Sequence, residues 1–449
     1  MMSIRIVLKA FILGGLAVAL LFALLVIDGL VGERQGRQKA VERDIAASYA
    51  AEQQVAGPFL LVTVEDRWTE SIYDREAKAQ VEVEKTRRRE VRHYPERMEW
   101  ELALEVDERE RGIFKARVYQ SAGTVSGRFQ LPAFEEWAGG ENVDSRLVEA
   151  RVVLGISDPR GLSDVPKMVL GDTKLEWKPG TGAGLPGIHA PLEVSEHPEP
   201  ATAEFTLDLR VHGMGGLFLT PLASENRVAM SCPWPHPSFM GDFLPMTRTV
   251  SDQGFTAEWR VNALAGNARQ ALDEGNGMGG LQKLGVRLID PITPYPLTDR
   301  ALKYGFLFIG ITFAAFFLFE TLRQLRIHPI QYGFVGVAQA LFFLLLLGLS
   351  EHIAFGAAYG IAMAATCGVL TVYIGSILGA PSRGLGFGGL LVLLYGALYG
   401  LLQSEDHALV AGSVLLFGLL AAVMLLTRKV DWYAMTASVS SKPGPALEP

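Results

Sequence analysis

Two short acidic-histidine segments are the residues of this 449-residue sequence most suited to chemistry. Glu351-His352 and Glu405-Asp406-His407 each lie between two long apolar stretches. Carboxylates and imidazoles that converge can bind a divalent metal or transfer protons. One hypothesis is therefore a membrane-interface enzyme or metal-dependent factor that uses these five residues.

The same residues also have a simpler structural explanation. Carboxylates at the ends of membrane helices are readily solvated, and outward-facing loops generally lack positive charge. Adjacent side chains on a helix point about 100° apart, so a single Glu-His pair is a poor chelator. A site would require the two loops to converge. We therefore favour a structural or docking role, and we assign no catalytic residue, metal or cofactor.

A proline-rich segment with aromatic side chains is a second candidate site. Three prolines between positions 233 and 237 stiffen the backbone around Trp234, His236 and Phe239. Aromatic rings of this kind present a large apolar surface. The segment is interpreted either as a binding lip for a peptide, glycan or lipid, or as a rigid crossover whose rings close the end of a β-sandwich.

Several established catalytic patterns do not occur in the sequence. It contains no Gly-x-Ser-x-Gly elbow, no His-Glu-x-x-His and no P-loop. Its two cysteines, Cys232 and Cys367, lie in a polar and an apolar segment, so they provide neither a disulfide framework nor metal-type spacing. The sequence therefore favours a protein that is not an enzyme.

Six apolar stretches are long enough to cross a bilayer, whose core needs roughly 20 helical residues. The first exceeds the apolar core of a cleaved signal peptide, which spans about 7–15 residues. No small-x-small cleavage pattern directly follows it, so we interpret it as an uncleaved anchor. The predicted helices are Ala10–Val31, Tyr304–Leu322, Ile330–Ser350, Ile353–Gly379, Leu385–Leu402 and Ala408–Thr427.

Basic residues in the short connections give these helices an orientation. They lie between the second and third helices, between the fourth and fifth, and after the sixth, whereas connections 351–352 and 404–407 contain none. The positive-inside rule then predicts that both termini are cytoplasmic and that residues 32–300 lie on the outer side of the membrane. The basic residues concerned are Arg323, Arg326, Arg383, Arg428 and Lys429.

The region between the first two helices is predicted to be a large β-rich domain. Residues 33–53 are rich in charged residues and alanine, which indicates a helical stalk, and Gly57-Pro58 follow it. The apolar periodicity then changes to two, which predicts a mostly antiparallel sandwich or curved sheet of undetermined strand order. The clearest alternating runs are 98–107, 205–212 and 255–261.

The charge balance of this domain restricts its partners. Residues 32–300 contain 32 Lys and Arg against 41 Asp and Glu, an excess of nine acidic residues. An acidic domain has no electrostatic reason to bind nucleic acid, so we exclude that class. The stretch Glu82–His93, with three consecutive arginines, is either a patch for an anionic partner or a charged strand edge that prevents edge-to-edge pairing.

Charged residues within the apolar stretches lie near the ends rather than the centres. Glu320 is predicted to pair with Arg323 one turn later, and Asp28 lies near the outer end of the first helix. Because transporters usually bind their coupling ions near the midplane, a transporter or channel is the less favoured alternative.

A series of specific motifs follows in order along nearly the whole chain. They are Leu297-Thr-Asp-Arg300 with Lys303-Tyr304, Phe317-Phe-Leu-Phe-Glu320, Ile327-His-Pro-Ile-Gln-Tyr332, Ser350-Glu-His352, Leu394-Tyr-Gly396, Gln403-Ser-Glu-Asp406, Arg428-Lys-Val-Asp-Trp-Tyr433 and, in the β-rich region, Trp234-Pro-His-Pro-Ser-Phe239, Gly241, Leu244-Pro245, Gly254-Phe255 and Trp259. Together these motifs resemble the CreD family of inner membrane proteins. The resemblance implies a location in the bacterial inner membrane and a role in cell-envelope integrity or envelope stress, and it implies no established reaction, cofactor or catalytic residue.

We therefore expect an α+β membrane protein with six transmembrane helices and a periplasmic domain inserted between the first and second. The expected function is support of envelope integrity through binding of an envelope protein, glycan or lipid. The oligomeric state stays open. The predicted parts are an anchor at 1–31, the periplasmic domain at 32–300, a five-helix bundle at 301–433 and a disordered cytoplasmic tail at 434–449.

Overall fold

The chain forms two compact units, which are described separately. One comprises Met1–Gln38 with Ile292–Pro449, and the other comprises Lys39–Pro291 and is called the β domain below. The predicted tail, 434–449, lies outside the described residues. A computed structural model describes residues 2–74, 79–112, 114–140, 143–193, 198–289, 294–323, 327–403 and 408–428.

Seven α-helices lie within the described residues. The first runs through the predicted anchor and most of the predicted stalk as one continuous element. The helices are α1 (Met2–Tyr49), α2 (Ala268–Asp273), α3 (Pro294–Arg323), α4 (Pro329–Ser350), α5 (Phe355–Ile377), α6 (Pro381–Gln403) and α7 (Ala408–Thr427). Short 3-10 turns occur at Phe134–Glu136, Pro159–Gly161, Ala263–Ala265 and Met278–Gly280.

Five helices of the described chain are long and apolar enough to cross a membrane: α1 and α3 to α6. This confirms a multi-span chain with one apolar helix before the β domain and four after it. The sixth predicted span coincides with α7, but it is not among these five, so its role as a span stays a prediction. The candidate spans are Phe11–Tyr49, Tyr295–Phe317, Pro329–Ser350, Phe355–Ile377 and Pro381–Gln403.

Close contacts between small residues hold α5 against α6. A Cβ atom added to Gly384 would lie 2.6 Å from the Cα of Gly375 and 2.6 Å from the carbonyl oxygen of Thr371. Glycine at position 384 therefore lets the two backbones approach each other, as small residues commonly do in membrane proteins. The turn before α4 is also specific, because the His328 ring accepts a hydrogen bond from the Ile330 amide at 3.2 Å and caps the helix.

Sixteen strands are present in the described part of the β domain. They are β1 (Gln53–Asp74), β2 (Ala79–His93), β3 (Arg97–Arg111), β4 (Phe114–Leu131), β5 (Asp144–Ile156), β6 (Lys167–Leu170), β7 (Thr173–Leu175), β8 (Lys178–Pro179), β9 (Gly187–Leu192), β10 (Ala201–Met214), β11 (Gly216–Thr220), β12 (Glu225–Cys232), β13 (Pro237–Gly241), β14 (Thr247–Ser251), β15 (Gly254–Asn262) and β16 (Leu284–Leu288).

These strands form two eight-stranded sheets. Sheet A has the order β13-β16-β11-β1-β5-β9-β8, with β2 paired to β1, and sheet B has the order β14-β15-β12-β3-β4-β10-β6-β7. The pairs β1/β11 and β3/β12 are parallel. The other described pairs are antiparallel, so the expectation of a mostly antiparallel domain is confirmed.

The main core lies between the inner faces of the two sheets. Trp100 and Trp259 of sheet B are among its largest buried side chains, and Val62 and Val64 of sheet A belong to the same cluster. The alternating runs predicted from the sequence supply much of the sheet B contribution, because their apolar positions face inward.

The outer faces of the two sheets differ. On sheet A, apolar residues such as Phe59 and Leu61 are buried in a second cluster with Ala271 and Leu272 of α2. On sheet B, by contrast, the outward side chains at the centre of the sheet are exposed to solvent. Sheet B therefore presents an open surface.

Candidate functional sites

Glu351 lies directly after α4, where its carboxylate is largely buried and already has partners. Its Oε1 accepts a hydrogen bond from the Tyr295 hydroxyl at 3.2 Å and lies 3.4 Å from Nε of Arg34. Only 9% of its side chain is exposed. This contact connects three helices of the membrane unit, α1, α3 and α4.

The neighbouring residues provide only part of the predicted acidic-histidine site. His352 is exposed, and its backbone amide donates to the Leu349 carbonyl at 3.0 Å. Glu405, Asp406 and His407 lie outside the described residues, so their convergence with Glu351 and His352 stays a hypothesis. No group of three or more potential metal ligands occurs within the described part of the chain.

The proline-rich segment places two of its three aromatic candidates against the β-domain core. The Trp234 indole donates to the Ile289 carbonyl at 3.1 Å, and the Arg117 guanidinium lies 4.1 Å from its ring centroid. Phe239 packs edge-on against Trp259, with ring centroids 5.8 Å apart. His236 is exposed, with its ring 5.6 Å from that of Trp234. Trp234 and Phe239 thus contribute packing, and His236 is the most accessible of the three.

An open groove on the outer face of sheet B was not anticipated from the sequence. Its volume is about 600 Å³. Five adjacent strands of sheet B, β14, β15, β12, β3 and β4, each contribute one small residue to a single row across the sheet. In that order the residues are Thr249, Thr256, Ser231, Ala103 and Ala122, and all five line the groove. Small side chains at neighbouring positions leave a depression, and their hydroxyl groups can hydrogen-bond a ligand.

Charged side chains flank this depression. Glu101 and Glu258 lie in the next cross-strand row, on either side of Ala229, and both line the groove. The groove therefore combines a small, partly hydroxylated floor with two carboxylates. These features suit an extended peptide or glycan, and they include no nucleophile paired with a base.

The β domain also contains a buried network of acidic and arginine side chains that was not predicted from the sequence. Asp66 has no exposed surface, and it accepts hydrogen bonds from Arg89 at 2.7 Å, Ser145 at 2.7 Å and Arg87 at 3.3 Å. Burial alone would raise the pKa of this carboxyl, but these donors outweigh that effect and lower it. Arg89 also donates to the Trp137 carbonyl.

Glu65, the preceding residue, is surrounded by arginines on the other face of the strand. Arg146, Arg67 and Arg88 all hydrogen-bond its carboxylate and lower the pKa of Glu65 to about 2. Two consecutive arginines, 88 and 89, thus bind two consecutive carboxylates from the adjacent strand. The sequence feature that could have indicated this network is the Glu65-Asp66 pair. Side chains of consecutive residues in a strand point to opposite faces, so the two carboxylates lie on different faces of β1.

The membrane unit contains two polar contacts that were likewise not predicted from the sequence. Gln339, at the middle of α4, donates from Nε2 to the Thr312 hydroxyl at 2.6 Å, and both residues are buried. The Glu320 carboxylate accepts from the Tyr332 hydroxyl at 2.7 Å. The Arg323 side chain lies outside the described residues, so the predicted Glu320–Arg323 pair stays a prediction.

Comparison with known proteins identifies a family over most of the chain. Residues 5–433 match the family described as "Inner membrane protein CreD". A protein of Escherichia coli (strain K12) described by the same words is 33% identical over 428 residues, covering 94% of this chain and 92% of that protein.

Solved structures give a much weaker likeness. An M1 zinc metallopeptidase from Deinococcus radiodurans is 12% identical with a TM-score of 0.17, over 37% of this chain and 38% of that one. A likeness of this size supports no conclusion about activity.

Proposed function

The chain belongs to the CreD family of inner membrane proteins, and from that premise we propose that it supports cell-envelope integrity by binding an envelope component through its β domain. The groove on sheet B is the observation that carries this proposal, because it is an open surface of about 600 Å³ lined by small and hydroxylated side chains. An extended peptide or glycan is the ligand class that fits this lining.

The proposed topology places the β domain in the periplasm. It has six membrane helices, with α7 as the sixth, and both termini in the cytoplasm. The distribution of basic residues supports this arrangement, because Arg383 lies between the fourth and fifth predicted helices and Arg428 follows the sixth, whereas residues 351–352 and 404–407 include no lysine or arginine.

The alternative function is chemistry at the outer membrane surface. It uses Glu351, His352, Glu405, Asp406 and His407 as proton-transfer groups or metal ligands. The contacts of Glu351 favour the binding proposal, because its carboxylate is occupied by Tyr295 and Arg34 rather than free to bind a ligand.

Complementation of a deletion strain under envelope stress such as detergent separates the two functions. We expect Glu351→Gln, His352→Ala and Glu405→Gln to restore growth as well as the wild type at matched membrane levels. Failure of a stably inserted conservative variant would instead establish the outer connections as a functional site, and metal analysis of the purified protein would follow.

A further inference from the structure

The strand β14 forms an unusually accessible edge of the β domain. It lies at one end of sheet B, where β15 is its only strand partner among the described residues. All five residues, Thr247–Ser251, are exposed. Alternate backbone amides and carbonyls of an edge strand point away from the sheet and can pair with another chain.

The other edges of the two sheets carry features that hinder such pairing. Strand β13 begins with Pro237, and β8 contains only two residues, one of them Pro179. Strand β7 has three residues. The remaining edge, β2, carries many charged side chains, including Arg87 and Arg88. By contrast, β14 has no proline and no lysine, and Arg248 is its one charged residue.

Large apolar side chains are exposed on and beside this edge. Val250 is 48% exposed, and Met246 and Leu244, in the segment leading into the strand, are 71% and 69% exposed. Exposed apolar residues next to an unpaired strand edge are typical of an interaction surface.

The charges around Val250 are complementary to a second copy of the same segment. Arg248 lies two residues before Val250 and Asp252 two residues after it. Neither forms an ion pair among the described residues, although the Arg248 guanidinium lies 5.8 Å from the Phe239 ring centroid. In an antiparallel pairing with Val250 opposite itself, Arg248 of each copy lies beside the turn of the other copy that follows β14 and contains Asp252.

We propose that β14 is a dimerisation edge, at which a second copy of this chain pairs antiparallel about Val250. The pairing joins the two copies of sheet B, covers the Val250 side chains and forms two reciprocal Arg248–Asp252 ion pairs. A symmetric contact of this kind is self-complementary, because each residue of one copy meets its counterpart on the other. The inference does not depend on the identity of the envelope ligand.

Cysteine crosslinking of the full chain in native membranes tests this pairing. Val250→Cys places two thiols opposite each other across the symmetry axis, within reach of a disulfide. Val165→Cys is the matched control, because Val165 is more exposed, at 75%, but does not lie on this edge. The native cysteines are both buried.

We expect mild oxidation to convert Val250→Cys to a covalent dimer much faster than Val165→Cys. Labelling both variants with a maleimide verifies that their thiols are accessible. Equal dimer formation by the two variants, no dimer from an accessible Val250→Cys, or its crosslinking solely to another protein would each overturn the proposal.

Charge reversal then tests the register. Added to Val250→Cys, Arg248→Glu should slow dimer formation roughly tenfold, because two exposed ion pairs are replaced by repulsive pairs. Asp252→Arg alone should have the same effect, whereas the two reversals together should restore the original rate. Dimer formation that is unaffected by either single reversal would contradict the Arg248–Asp252 pairing.

Discussion

Arg89 donates a hydrogen bond of 2.7 Å from Nε to Oδ2 of Asp66, a carboxylate with no exposed surface. The two residues lie on neighbouring strands, β1 and β2, and Ser145 of β5 hydrogen-bonds the same carboxylate. Asp66 therefore connects three strands of sheet A. Beyond its neighbour Arg67, the described part of β1 pairs only with β2.

Removing the Asp66 carboxylate should destabilise the β domain. Asp66→Ala removes the carboxylate partner of Arg89, which is 27% exposed and keeps its hydrogen bond to the Trp137 carbonyl, and the loss of a hydrogen bond to a charged group costs about 1.5–3 kcal/mol. Arg87→Ala is the comparison, because the Arg87 side chain is 62% exposed and its contact with Asp66 is longer, at 3.3 Å. Thermal unfolding of the purified full chain in detergent should show a large decrease for Asp66→Ala and a small one for Arg87→Ala. Equal midpoints would argue against a structural role for this carboxylate.

Stability should decrease in acid partly because of Glu65. Its pKa is about 2 in the folded chain against an ordinary value of 4.5, so the folded state favours the ionised form. The stabilisation is therefore present above about pH 4.5 and is lost as the pH falls through about 2. Glu65→Gln should flatten the pH dependence of the unfolding midpoint over this interval. An unchanged pH dependence would show that the three arginines do not hold this carboxylate ionised.

The strands and helices that could be predicted from the sequence are those whose apolar pattern lies within one continuous segment. The alternation of Trp100 and Leu102 with Glu101 and Ala103 predicts a half-buried strand, and the structure confirms it. The long apolar stretches likewise predicted the five candidate spans. Apolar periodicity needs only neighbouring residues, so it is readable without knowledge of the fold.

Features that depend on distant pairing could not be predicted. The groove exists because Ala103, Ser231 and Thr256 become neighbours across three strands that are far apart in sequence. Likewise, the Glu351 carboxylate forms its hydrogen bond with Tyr295 and its ion pair with Arg34, and both partners lie on other helices. Strand order and helix packing determine these contacts, and neither is encoded in a short motif.

Glycine at position 384 should be essential for the α5–α6 contact. Gly384→Leu introduces a side chain where a Cβ atom alone would lie 2.6 Å from Gly375, so the helices must separate. The cost of such overpacking is about 1–3 kcal/mol. Gly386→Leu, two residues later, is the control because a Cβ atom there meets nothing within 4 Å. Thermal stability in detergent should decrease only for Gly384→Leu, and equal behaviour of the two variants would contradict this packing.

The orientation of the β domain can be measured with one exposed thiol. Leu264 is 98% exposed, whereas Cys232 and Cys367 are buried. In spheroplasts, a membrane-impermeant maleimide should therefore label Leu264→Cys rapidly and the wild type slowly. Labelling of Leu264→Cys only after the inner membrane is lysed would place the β domain in the cytoplasm.

The most direct test of the proposed function fills the groove on sheet B. Ala103→Trp places a large side chain on its floor, whereas Thr202→Trp adds the same ring at an exposed position of β10 outside the residues that line it. At matched membrane levels and equal thermal stability, we predict that Thr202→Trp restores growth of a deletion strain under detergent stress and that Ala103→Trp does not. Full rescue by Ala103→Trp would contradict the claim that this groove binds the envelope component.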